Sequence, residues 1–248
     1  MIWKSAGPFT SAKHTHDGAV LDNDQHGTME ISLLESWLWR VTFRPDGETR
    51  LDRTWMTGGT VRAAAESLPR EGRNRDDLSC YSRPGVTVGT ENDVMTITGQ
   101  TSALRVNVSD GAIQWMTEDD TLFAEDLPGR AYGYNRAGRD VFHYMRRDDS
   151  ECYYGFGERA GPLNKKGLRM RMHNLDALGY SAMHGDPLYK HWPIYITYNR
   201  QFNIAYGLVY DNLSDTVFDM GKEVDAYHGD YRYYHAADGD IDYYMVFG

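Results

Sequence analysis

Val94-Met95-Thr96-Ile97-Thr98, Leu104-Arg105-Val106-Asn107-Val108, Asp110-Gly111 and Ala112-Ile113-Gln114-Trp115-Met116 follow one another within a single stretch of the chain, and this stretch decides the fold. Apolar and polar residues alternate there with the period of a strand, which sends successive side chains to opposite faces and buries one set. Asp110-Gly111 is a turn dipeptide whose glycine accepts a positive φ, so the last two segments read as an antiparallel hairpin.

The same grammar extends in both directions. Trp37 to Phe43 ends at the turn Pro45-Asp46-Gly47, and Val141 to Met145, Leu168 to Met172, Trp192 to Tyr198, Ile204 to Tyr210, Thr216 to Met220 and Ile241 to Phe247 continue the series. Only Val61 to Leu68, closed by Pro69, reads as a short helix. Tyr 18, Phe 8, Trp 6 and Gly 25 suit short strands joined by tight turns. The expectation is an all-β, antiparallel β-sandwich with little helix. No internal repeat or Pro/Ser/Gly linker divides residues 1–248, so a single domain is expected.

Lys+Arg 26 against Asp+Glu 36 gives a net charge of −10, which argues against binding a nucleic-acid phosphate backbone. No run of about 18 apolar residues is present and Met1-Ile2-Trp3-Lys4-Ser5 lacks an apolar signal region, so no membrane partner is expected. Cys80 and Cys152 fit neither a disulfide scaffold nor a Cys-x-x-Cys site, which points to free thiols and a cytoplasmic protein. The charged run from Arg70 to Asp77 reads as a solvated loop. The irregular stretch from Glu158 to Lys190 is too long for an ordinary connection, and such loops in compact domains tend to be functional.

Three blocks in and around that stretch carry a resemblance. Tyr153-Tyr154-Gly155-Phe156-Gly157-Glu158 is followed by His173-Asn174-Leu175-Asp176, and then by Leu188-Tyr189-Lys190-His191-Trp192-Pro193. In this order the chain resembles the N-terminal domain of glycoside hydrolase family 31, the α-glucosidase and α-xylosidase family. The likeness runs from about Trp37 to the closing Asp242-Tyr243-Tyr244-Met245-Val246-Phe247-Gly248. It implies a galactose mutarotase-like supersandwich, followed in the parent enzyme by a catalytic (β/α)8 barrel that this chain does not contain.

Retaining glycosidases need two carboxyl groups about 5–5.5 Å apart, and in this family the barrel carries them. No catalytic residue is therefore expected here. The nearest string to the nucleophile motif, Phe218-Asp219-Met220-Gly221, lacks its Asn. The resemblance instead implies that the Asn-x-Asp loop leans over the barrel and lends Asp176 to the sugar pocket, with Asn174, Leu175 and Ala177 as supporting positions. A carboxylate with two acceptor oxygens suits paired hydroxyls of an α-linked glucoside or xyloside. The plainer alternative for Asp176 is a turn-forming Asx residue. Leu175, Leu178 and Tyr180 could wall the pocket or pin the loop.

Glu158 is expected to bond backbone or an arginine such as Arg169 or Arg171, fixing the angle at which the loop leaves the sheet. Gly155 and Gly157 are expected where a Cβ is forbidden. His14, His16 and Asp17 have metal-like spacing without a third ligand, and His184, Asp186 and His191 read as loop polarity, so neither metal nor cofactor is expected.

Two other function classes stay open. One is a stand-alone carbohydrate-binding module, marked by a row of exposed aromatics. The other is an aldose-epimerase-like enzyme using a His/Glu pair. If the chain packs on its own C-terminal barrel, separation from it leaves an apolar face, drawn from Tyr243 and Met245 or from Tyr244 and Val246 together with Leu175 and Tyr180. The fragment would then self-associate.

Overall fold

A computed structural model describes residues 3–57, 70–176, 178–179, 181 and 190–247. Val61 to Leu68, the expected helix, lies outside them, and there is no helix among the described residues. The hairpin that decides the fold forms as its pattern dictates. Strands Val94–Thr98, Ser102–Asn107 and Ile113–Thr117 pair antiparallel in register, with Leu104 between Ile97 and Trp115. At the turn the Gly111 N–H donates to the Asn107 carbonyl at 2.7 Å with φ at 76°. Leu122–Glu125 and Thr87–Glu91 complete a five-stranded sheet.

The largest sheet has eight strands, in the order Glu151–Gly155, Ile194–Asn199, Ile204–Tyr210, Ile241–Phe247, Leu38–Arg44, Thr28–Glu35, Gly18–Asn23 and Phe9–His14. A six-stranded sheet runs Trp3–Ser5, Tyr132–Asn135, Val141–Arg146, Tyr231–Ala236, Thr216–Asp219 and Arg169–Met172. All these neighbours are antiparallel. The eight-stranded sheet packs on both smaller ones. Trp39 meets Trp115 edge-on at 6.5 Å on the five-stranded side, and Tyr210 stacks on Tyr234 at 4.0 Å on the six-stranded side. The result is the expected sandwich, with one continuous apolar core.

Much of the aromatic surplus is used inside, and tyrosine hydroxyls buried there need partners. Tyr132 and Tyr243 share a hydrogen bond at 2.8 Å. Arg232 is buried between the sheets, donating to Glu151 at 2.8 Å and to the Tyr206 hydroxyl at 2.6 Å, while Tyr153 donates to the same Glu151 carboxylate.

Two surface expectations need correction. The charged run from Arg70 is solvated at Asp76 and Asp77, yet Arg75 turns inward and is buried against Asp242 at 2.8 Å. The last strand presents no open apolar face: Tyr243, Tyr244 and Met245 are buried and Val246 is half-buried, because Leu78 and Tyr81 cover the outer side. Exposed apolar side chains lie farther along the same sheet, among them Ile194 and Ile196, where Ile196 faces Tyr154 and Gly207 and Ile194 faces Val209.

Candidate functional site

The long loop leaves the sheet at the end of strand Glu151–Gly155, and its exit angle is set by three successive residues with positive φ, Gly155 at 118°, Phe156 at 63° and Gly157 at 65°. A Cβ at Gly155 would stand 2.8 Å from the Ile194 carbonyl oxygen, and one at Gly157 would stand 2.4 Å from the Trp192 ring. Both positions therefore require glycine. Phe156 carries a side chain through the same region at a cost of about 1–3 kcal/mol. Its buried ring, stacked on Tyr195 at 5.0 Å and edge-on to Phe218 at 5.2 Å, returns a comparable amount, about 1.5–3 kcal/mol.

Among the described residues, Glu158 is partnered by a lysine where an arginine was expected. It pairs with Lys190 at 2.7 Å, joining the two ends of the loop. Arg169 is engaged elsewhere, by Asp219 at 2.7 Å and Glu223 at 2.5 Å. The backbone-bonding role expected of Glu158 falls to Arg159, which donates to the Arg171 carbonyl and contacts the Met172 sulfur at 2.9 Å. Beneath this turn the Lys165 ammonium donates to the carbonyls of Arg159 at 3.1 Å and Ala160 at 3.2 Å. Burial, with Arg159 nearby, lowers its pKa.

After strand Arg169–Met172 the chain emerges with His173 against the Asp215 carboxylate. His191, at the other end of the loop, contacts the Asn212 carbonyl at 2.9 Å through Nε2, and burial lowers its pKa. Among the described residues between them, tight turns run from the Leu175 N–H to the His173 carbonyl at 2.8 Å and from the Leu178 N–H to the Asp176 carbonyl at 3.0 Å. Asn174, Leu175 and Asp176 are all exposed, and among the described residues no hydrogen bond or ion pair engages the Asn174 amide or the Asp176 carboxylate. The Asx-turn alternative for Asp176 thus finds no closing bond there. Leu175 is 45% exposed and Leu178 89%. Ala177, Tyr180, His184 and Asp186 lie outside the described residues.

Asp219 is a turn residue. Its carboxylate accepts from the backbone of Gly221 at 2.9 Å and Lys222 at 2.7 Å as well as from Arg169, and it has no exposed surface. Asp17 is held by Arg83 at 2.7 Å. The sequence reading missed a buried histidine pair: His143 contacts Asp126 at 2.9 Å and the Tyr210 hydroxyl at 2.8 Å, between the stacked rings of Tyr132 and Tyr243. Its signal was the inward alternation with Val141 and Met145. Both His143 and Asp126 have no exposed surface, so the pair cannot reach a substrate as an epimerase base would have to.

Fold and loop ends together define a mutarotase-like β-sandwich domain whose long loop is anchored where it leaves and where it returns. The chain belongs to the glycosyl hydrolase 31 N-terminal galactose mutarotase-like domain family, which it matches over residues 28–219. It is 26% identical over 222 residues to alpha-glucosidase 2 of Bacillus thermoamyloliquefaciens, a match covering 90% of this chain and 24% of that protein. A shorter match to the alpha-glucosidase of Saccharolobus solfataricus is 36% identical over 86 residues, 35% of this chain and 12% of that protein. The fold superposes on a GH31 dextranase of Flavobacterium johnsoniae complexed with glucose, with a TM-score of 0.75, 23% identity, 99% of this chain covered and 27% of the dextranase. The chain thus spans about a quarter or less of the length of these relatives.

Proposed function

We propose that this chain is the non-catalytic N-terminal domain of a retaining α-glycosidase of the α-glucosidase or α-xylosidase type, and that it completes the substrate pocket of a following (β/α)8 barrel. The observation that carries the reading is the Asn174–Asp176 segment. It is polar and solvent-facing, its carboxylate has no described partner, and its base is fastened by the Glu158–Lys190 pair and the Arg159 contact to Arg171. In this reading Asp176 accepts hydrogen bonds from sugar hydroxyls, with Asn174, Leu175 and Ala177 as supporting positions. The barrel covers the exposed face at Trp192, Ile194 and Ile196, and the protein works in the cytoplasm, where both thiols stay reduced.

The test is turnover of nitrophenyl α-glucoside and α-xyloside by the 248-residue chain alone and by the longer protein that contains it. The chain alone should be inert and the longer protein active. Turnover by the chain, abolished by a single Asp or Glu substitution within it, would refute the reading.

A further inference from the structure

Two tight turns carry aromatic rings that neither turn requires. Trp37 lies between strands Thr28–Glu35 and Leu38–Arg44, and Phe202 between Ile194–Asn199 and Ile204–Tyr210. They are 45% and 44% exposed. Polar contacts already hold both turns: Asn199 closes the one at Phe202, and the one at Trp37 is tied to the neighbouring strand Ile241–Phe247. The Asn199 side chain accepts from the N–H groups of Gln201 at 2.9 Å and Phe202 at 3.2 Å, and the Trp37 carbonyl accepts from the Phe247 N–H at 2.9 Å. Small polar residues would serve such turns better.

The two rings line one cleft of about 650 Å³, within the size range of small-ligand sites. Ile204 and Phe247 also line it, and the Phe247 ring is fixed by stacking on Phe123 at 4.7 Å. The remaining lining is polar: it includes Thr117, Glu118, Asp119 and Thr121, from a turn closed by the Thr117 N–H to the Thr121 carbonyl at 3.0 Å. Both carboxylates are exposed. Phe202 and Thr121 also line an adjoining cleft of about 570 Å³.

This combination selects among ligand classes. A pyranose has apolar C–H faces that stack on aromatic rings and an edge of hydroxyls that donate to carboxylates. An anionic chain would meet Glu118 and Asp119 on a protein of net charge −10. A docked protein surface would have to bury the same two carboxylates, and cores of such interfaces are depleted in charge. We propose that this cleft binds a neutral pyranose chain, with Trp37 and Phe202 stacking on ring faces, Glu118 and Asp119 accepting from hydroxyls, and the adjoining cleft taking the next sugar. It shares no residue with the Asn174–Asp176 loop and is independent of the role proposed for that loop.

The experiment is calorimetric and ligand-observed NMR titration of the 248-residue chain with maltotetraose, isomaltotetraose and a tetrameric galacturonate. At least one neutral tetramer should bind saturably and the galacturonate should not. Trp37→Ala and Phe202→Ala, each checked for native circular dichroism and an unchanged melting temperature, should weaken binding at least about tenfold. The Glu118→Gln/Asp119→Asn double variant should weaken it severalfold, and Tyr227→Ala, at an exposed aromatic outside the cleft, should leave it unchanged. Absence of saturable binding, binding that survives Trp37→Ala and Phe202→Ala in folded protein, or Trp37-dependent self-association in place of sugar binding would each overturn the proposal.

Discussion

Replacing Asp242 by alanine tests how the segment that follows the turn at Pro45 is held on the outer face of the eight-stranded sheet. The Asp242 side chain is only 2% exposed. It accepts two bonds from Arg40, at 2.9 and 2.7 Å, and one from Arg75 at 2.8 Å. Arg75 also reaches the Asp211 backbone carbonyl at 2.6 Å, and Thr54 donates to the Asp211 carboxylate at 2.6 Å, so one cluster joins both sheet strands to the covering segment. Burial alone would raise the Asp242 carboxyl, but Arg40 and Arg75 outweigh it and hold it below the ordinary range. Alanine would leave two buried guanidiniums short of their counterion, and breaking a buried pair in this way costs about 3–5 kcal/mol. That is a large share of the roughly 5–15 kcal/mol expected of a folded domain. The assay is urea unfolding near neutral pH. A second variant, Arg40→Met/Asp242→Leu/Arg75→Met with Asp211→Asn to neutralise the buried carboxylate that Arg75 also faces, should recover much of the loss, because it removes the desolvation cost along with the bonds. A loss below about 1 kcal/mol for Asp242→Ala, the value of a surface pair, would refute the view that this cluster is buried and mutually dependent.

Asp240 is pushed up to about 6 by burial, against an ordinary 3.8. Its folded value lies above its unfolded one, so its contribution to stability is fully present below pH 3.8 and is lost as pH rises through about 6; the whole change is at most about 3 kcal/mol. Asp240→Asn should flatten that part of the stability profile in urea unfolding followed from pH 4 to pH 8, and an unchanged profile would contradict the assignment. In the longer enzyme proposed above, Asp176→Ala should lower kcat/KM by about 10- to 150-fold, the loss of one charge-assisted bond of about 1.5–3 kcal/mol; an unchanged value on disaccharides would leave Asp176 without a role in binding. Gly157→Ala forces a Cβ into Trp192 at a φ of 65° and should destabilise the fold by more than about 1 kcal/mol, read as a lower melting temperature.

Period-two alternation made part of the strands legible: Val94–Thr98, Ile204–Tyr210 and Ile241–Phe247 stand as read, and the other segments read move by one or two residues where a turn begins, whereas Gly18–Asn23, Thr28–Glu35 and Tyr231–Ala236 were not read. What covers each face was not legible, because it depends on contacts between distant residues. Arg75 sits in a run of charge that looks solvated, and only its pairing with Asp242, 167 positions away, explains its burial. Tyr243 and Tyr244 read as alternatives, one in and one out, yet both are buried because Leu78 and Tyr81 cover the outer side. Arg232 shares the inward face of Tyr234, a signal that alternation did contain, but a charge in a core position is credible only once Glu151 and Tyr206 are seen around it. In the loop, the need for glycine at 155 and 157 was legible from the residues, whereas the partner of Glu158 was not: Lys190, Arg169 and Arg171 offer the same charge, and the fold commits Arg169 to Asp219.

The same contacts bear on how Asp176 could serve a pocket. A carboxylate on a free loop would lose backbone entropy on binding, about 1–2 kcal/mol for each residue fixed, which would consume the gain from one or two hydrogen bonds to a sugar. Here much of that ordering accompanies folding. Phe156 and the two glycines set the exit, Arg159 ties the turn to Arg171, His173 meets Asp215, and His191 meets the Asn212 carbonyl where the chain returns. The segment that follows directly on His173 begins with Asn174, Leu175 and Asp176. Its exposed side chains, Leu175 and Leu178 beside Asp176, combine an apolar body with a carboxylate acceptor. That is the pairing a sugar ring requires, and one that the sandwich, already closed around its own core, does not use for stability.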